Sequence, residues 1–221
     1  MKNSNKFLLS FCMIATILSL GMNKSPSQVT DIDGNTYKTV IIGTQEWMAE
    51  NLNVGHYRNG DTIPQKQDIL FWDNFTKGAW CYFDDNQKNG KIYGKLYNWY
   101  TVNDPRGLAP EGWHIPTDEE WTKLTYYLGG EAKAGGKLKA ITLWDSTSTE
   151  TTNESGFSAL PGGCRDNNGS FDKVGKGGCF WTSSGYGDDF AWNRYLYFDY
   201  SGVSRGVYFK LDGWSCRCVK V

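Results

Sequence analysis

The segment Gly112-Trp113-His114-Ile115-Pro116-Thr117-Asp118-Glu119-Glu120-Trp121 carries the strongest structural instruction in this chain. Pro116 keeps the residue before it out of helical geometry. Thr117 followed by Glu120 has the spacing of a capping box. Asp118, Glu119 and Glu120 put negative charge at the positive end of a helix dipole. Trp121, Leu124 and Leu128 then recur on one helical face, and Gly129-Gly130 supplies the stop. A helix is therefore expected over Asp118–Leu128. It is the one well-signposted helix in the chain, because Gly135-Gly136 weakens a second one after Glu131.

Around that helix the sequence reads as short strands and turns. Aromatic residues make up 15% of the chain, with 10 Trp and 13 Tyr, and there are 26 Gly. Many aromatics between many glycines suit strands joined by tight turns, and most of those rings belong in a core. Asp33-Gly34 is a hairpin signal. The strand after it, Tyr37 to Ile42, has the alternation of one buried on both faces or lying near a core. The acidic spacing Asp31, Asp33 also fits a calcium loop, but the terminal Glu of the twelve-residue loop is missing. Gly78–Phe83 reads as a strand, Asp84–Gly90 as a polar loop, and Tyr93–Val102 as a stretch of undecided type. Near the end, alternation from Trp192 to Tyr200, a turn at Ser201-Gly202, and alternation from Val203 to Leu211 predict a hairpin.

The first residues read as an export signal: Lys2 and Lys6, then an apolar run from Phe7 to Leu20, then Ser19-Leu20-Gly21 before a cut. The rival is a retained membrane anchor, for which the run is short. Met22 stands where a lipoprotein signal needs cysteine, and Cys12 sits inside the run after the bulky Phe11. The expected division is a signal peptide over 1–21, a flexible leader over 22–29 and one domain over 30–221. The net charge of the whole chain is −1, and no basic surface for nucleic acid is expected.

Eight segments occur here in a family order. They are Asp31–Tyr37, Trp47–Leu52, Gly78–Tyr82, Tyr93–Tyr100, Gly112–Trp121, Gly156–Gly163, Phe180–Ser184 and Arg217–Lys220. In these the chain resembles the Fibrobacter succinogenes major paralogous domain, found in exported bacterial proteins, many of them lipoproteins. That family is similar to the formylglycine-generating enzyme fold, a variant of the C-type lectin-like fold. Ile115–Trp121 matches its Leu-Pro-Thr-Glu-x-Glu-Trp pattern and Arg217-Cys218 its closing Arg-Cys. The resemblance implies an α+β fold of short mixed strands, few helices and long loops. It implies no reaction.

The oxidase chemistry of that fold needs a cysteine pair upstream of the closing Arg-Cys, and Ser204–Gly213 contains none. Cys216 and Cys218 are two apart, which is the wrong spacing. The two histidines give no triad: His114 suits packing or capping, and His56 has no evident partner. No catalytic residue, metal or cofactor is expected. Lectins of the related fold hold sugar through calcium with a Trp-Asn-Asp motif, but Trp192-Asn193-Arg194 replaces the acid with Arg194. Asp84-Asp85-Asn86 and Asp188-Asp189 read as solvated turns that could hold an ion.

The remaining cysteines suit an oxidising compartment. Cys81 and Cys218 lie in family segments and are expected to pair. Cys164 and Cys179 lie on what read as neighbouring strands and form the second expected pair, leaving Cys216 unassigned. A thiolate zinc site is the rival, though no Cys-x-x-Cys spacing occurs. The hairpin supplies the candidate binding face: Tyr195, Tyr197 and Tyr208 with Asn193 and Lys210, where rings stack on sugars and the amide or ammonium bonds hydroxyls. A glycan or a surface protein is the expected partner. The competing reading is that another layer covers these tyrosines, leaving a structural envelope component.

Overall fold

A computed structural model describes residues 27–66, 76–146 and 151–221. The expected signal over 1–21 lies outside the described residues, as does the leader up to Pro26. The fold is α+β, with two five-stranded sheets, one short strand pair and four α-helices among the described residues.

The first sheet is assembled from distant parts of the chain. Its strands are β1 (Gln28–Thr30), β2 (Thr36–Ile42), β3 (Gln45–Met48), β6 (Trp113–His114) and β12 (Val219–Lys220), in the order β1-β2-β3-β12-β6. The turn from β1 to β2 is set by Asp31, whose carboxylate accepts the backbone N–H groups of Asp33 and Asn35 and the hydroxyl of Tyr37. Asp33 is bonded in turn by Gly55 N–H and contacts His56 Nδ1 at 2.6 Å. So His56 has a partner that sequence reasoning did not find. β2 is not buried on both faces: Ile42 is 3% exposed, whereas its neighbour Ile41, on the other face, is 73% exposed.

A short pair, β4 (Trp80–Cys81) and β5 (Leu96–Tyr97), follows. The expected loop from Asp84 to Gly90 is instead a 3₁₀ turn at Phe83–Asp85 running into α1 (Gln87–Tyr93). Asn86 explains this, since its side chain accepts Lys88 N–H as an N-cap. The undecided stretch resolves into β5 and α2 (Trp99–Val102), which Asn98 caps.

Helix α3 (Asp118–Tyr127) carries the full capping box between Thr117 and Glu120, and Trp121 and Leu124 are wholly buried. Glu120 also contacts His114 Nε2 at 2.8 Å, so His114 has a positioning role at the helix start. Helix α4 (Glu131–Leu138) forms despite Gly135-Gly136. The glycines serve close approach: a Cβ on Gly135 would lie 2.0 Å from Gly202 O, and Gly136 N–H donates to Ser201 O.

The second sheet has the order β11-β10-β9-β7-β8, with β7 (Gly162–Arg165), β8 (Phe171–Val174), β9 (Gly177–Tyr186), β10 (Phe190–Tyr197) and β11 (Ser204–Phe209). The segment Trp214–Val219 runs between the sheets and bonds to both. Trp214 exchanges backbone hydrogen bonds with Tyr97, and Ser215 bonds to Cys179 and Trp181. Cys216 O then accepts from Leu52 and Cys218 O from Met48.

Arg217 is the pivot of this segment, with no exposed surface. Its guanidinium donates to Phe157 O, Ser158 O and Asn51 Oδ1, and it lies over the rings of Phe157 and Phe180. Those rings join Trp47 and Trp121 in an edge-to-face cluster. The aromatic excess in the composition is therefore largely core.

Candidate functional site

The predicted hairpin is present, paired Ala191↔Tyr208, Asn193↔Gly206 and Tyr195↔Ser204. On β9 the partners of Asn193, Tyr195 and Tyr197 are Trp181, Cys179 and Gly177. Because side chains alternate across a strand, Asn193, Tyr195, Tyr197 and Tyr208 share one face with Trp181 and Cys179. Trp214 lies against that face, stacked on Trp181 at 5.2 Å and 4.8 Å from the Tyr208 ring.

The predicted residues differ in access. Tyr208 is 42% exposed, and Tyr195 and Tyr197 are half-buried. Asn193 is only 1% exposed, yet neither its amide oxygen nor its nitrogen has a hydrogen-bond partner. The Tyr195 hydroxyl and the Trp214 indole N–H are also buried without partners. Buried amides are normally bonded, so this concentration on one face stands out. Gly206, opposite Asn193, has no side chain, and a Cβ there would lie 3.6 Å from both the Asn193 amide oxygen and the Tyr208 ring. Lys210 does not belong to this group. Its ammonium donates to Gly187 O and Asp188 O and lies over Trp99, so it closes the β9–β10 turn. The Asp188-Asp189 turn is thus held by its carbonyls.

Of the titratable groups bordering the face, sequence reasoning named Cys164 and Cys179 but missed Lys173 and Asp212. Cys164 lies one residue past the Gly163↔Gly178 pair that joins β7 to β9, which sets it beside Cys179. Lys173 reaches over the Tyr195 ring at 5.8 Å. Asp212 is 3% exposed, and burial together with nearby Asp166 pushes its carboxyl up to about 7. Backbone bonds from Asn167 and Phe209 only partly offset this. No strand alternation marks these residues, since Asp166 and Asp212 lie in loops.

A folded pKa raised above the unfolded one means that the native state holds the proton more tightly. The stabilisation is complete below about pH 4 and is lost as pH rises through about 7. Asp212→Asn is expected to remove a fall of a few kcal/mol between pH 4 and 7, read as urea midpoints at several pH values. An unchanged pH slope in the variant would show that Asp212 is not its source.

All five described cysteines are free and buried. The expected Cys81–Cys218 bridge is corrected: Cys81 packs with Ala79, Phe83 and Leu96, while Cys218 lies in the larger cluster with Cys216. Burial raises the thiols of Cys81, Cys216 and Cys218. Arg194, which in the sequence stands directly after Trp192-Asn193, has a structural task. It donates to Asp118 Oδ1 at 2.5 Å and to Asp118 O, tying β10 to the start of α3.

A groove of about 580 Å³ lies between Tyr126, Tyr127 and the turn at Gly43. None of the buried unpartnered polar atoms lies in its walls, so the tyrosine face of the second sheet is the stronger candidate.

The family model described as the Fibrobacter succinogenes major domain matches residues 40–220. The chain belongs to that family. Comparison with curated proteins gives no match, and comparison with solved structures gives none. The family span opens inside β2, although the β1–β2 hairpin completes the same sheet. Three motif segments of this Fibrobacter succinogenes major domain meet at β12, where Val219 pairs with Trp47 and His114. Those motifs mark the joint of the fold.

Proposed function

We propose that this Fibrobacter succinogenes major domain is an exported, non-catalytic binding module of C-type lectin-like architecture, acting at the cell surface or in the periplasm. The observation that carries the reading is the sealed but unpartnered amide of Asn193, beneath the exposed ring of Tyr208 and opposite Gly206. A ring beside an unsatisfied donor and acceptor suits a glycan, whose C–H face stacks while its hydroxyls bond the amide. The calcium route of related lectins is not invoked, because Arg194 is engaged with Asp118.

The test is a glycan array followed by titration of any hit. Tyr208→Ala is expected to weaken binding about tenfold or more, with Tyr197→Ala weaker in effect. Unchanged affinity in Tyr208→Ala would remove this face from consideration. No glycan hit, with a protein captured instead in a Tyr208-dependent way, would move the ligand class to protein. No ligand of either kind would favour a structural envelope role.

A further inference from the structure

The β7–β8 hairpin is joined to the rest of its sheet by a thin seam. Among the described residues, β7 and β9 share one register pair, Gly163↔Gly178. The next residue on each strand is a cysteine, and parallel neighbours lie about 4.8 Å apart, inside the Cα separation of roughly 4.4–6.8 Å that a disulfide spans. Burial and the neighbouring Cys164 thiol raise the Cys179 thiol. Cys164 Sγ lies 3.8 Å from Asp166 Oδ1, and the Lys173 ammonium faces both thiols. Cys81 has Arg165 and Asp85 near its sulfur and Cys218 has Asp31, Arg217 and Arg58, but across the backbone Cys81 pairs with Leu96 and Cys218 bonds to Met48, so neither faces a second cysteine on a neighbouring strand.

We infer that Cys164 and Cys179 form a thiol–disulfide pair that an external disulfide oxidises, and that the bond fastens β7–β8 to β9 beneath the tyrosine face. As the hairpin lifts, Cys164 loses its proton to solvent, and the Lys173 ammonium stabilises the thiolate. That thiolate attacks one sulfur of the external disulfide, forming a mixed disulfide and expelling one thiolate, which takes up a proton. Cys179 then loses its proton and attacks the Cys164 sulfur, forming the internal bond and releasing the second thiol. Two protein thiols are oxidised and one external disulfide is reduced to two thiols. Cys164 is the attacker because it lies on the hairpin that lifts, beside the Lys173 ammonium. Cys179 resolves the intermediate, since burial and its neighbour hold its proton more tightly. β8 is an edge strand with Asp172 and Val174 exposed, so lifting the hairpin gives the oxidant access.

The bond itself does not depend on the proposed binding function; only its effect on ligand does. The experiment treats the reduced full chain with oxidised glutathione. Intact mass should show loss of two hydrogens without a retained adduct, and peptide mapping should show Cys164 linked to Cys179. In Cys179→Ser the glutathione adduct should accumulate on Cys164, whereas Cys164→Ser should react far more slowly. Oxidised wild-type protein should melt about 5–10 °C higher than reduced, a comparison needing no variant. Both residues remaining alkylatable after oxidant, or a cross-link through Cys216 or Cys218, would overturn the pair. If the bond forms but no glycan binds in either redox state, the binding function fails and the pair stands.

Discussion

Replacing Arg217 by alanine is expected to destabilise the domain by about 4–5 kcal/mol, a large part of the 5–15 kcal/mol typical of a folded domain. Two effects add. The side chain fills a fully buried space over Phe157 and Phe180, so truncation leaves a cavity. It also satisfies Asn51 Oδ1 and the carbonyls of Phe157 and Ser158, which no water would reach after its loss. Arg217→Lys should recover little, since a single ammonium cannot reproduce the planar fork or the stacking. Urea denaturation followed by tryptophan fluorescence measures the effect. A loss under about 1 kcal/mol would mean that the packing around Arg217 tolerates its removal.

Asp118→Ala is expected to cost about 3–5 kcal/mol, because it strands the buried Arg194. Arg194 has no exposed side-chain surface, and its bonds to Asp118 are what join β10 to the start of α3. Arg205 shares the same carboxylate from a 39% exposed position, so Arg205→Ala should cost no more than about 1 kcal/mol. The contrast between these variants is the check: equal losses would put the weight on the exposed pair. Burial works to raise the Asp118 carboxyl, but hydrogen bonds from Arg205 and Arg194 outweigh it and hold it below the ordinary range. Its contribution is therefore present above about pH 4 and lost as pH falls further. Asp212 acts in the opposite direction over pH 4 to 7, so wild-type stability should be greatest near the acid end of that window.

Much of the local structure was written in the sequence where one residue dictates one backbone event. Thr117 and Glu120 specify the start of α3, and the alternation around Ser201-Gly202 specifies the last hairpin. The reading failed where the reason for a residue lay far along the chain. Gly135-Gly136 looks like a helix breaker until Ser201 and Gly202 are seen pressed against it. Asp118 looks like a dipole charge until Arg194 arrives from β10. That Tyr195, Tyr197, Tyr208 and Asn193 share one face was legible from strand parity. Lys210 was misplaced because β11 ends at Phe209 and the chain turns. Asp212 was invisible because it lies in a loop, which carries no periodicity, and Lys173 because nothing in the short strand β8 ties it to Tyr195. The Cys81–Cys218 pairing failed for a related reason: shared family segments do not make two residues neighbours.

The segment Trp214–Lys220 has a consequence in time as well as in space. Ribosomes make it after every other strand, yet it supplies the bonds that join one sheet to the other. Until it emerges, the backbone N–H groups of Met48, Leu52 and Trp181 lack their acceptors, and the distant strands that carry them must all be gathered at once. Such non-local closure is slow. A nascent chain of this kind stays loose until that segment is made.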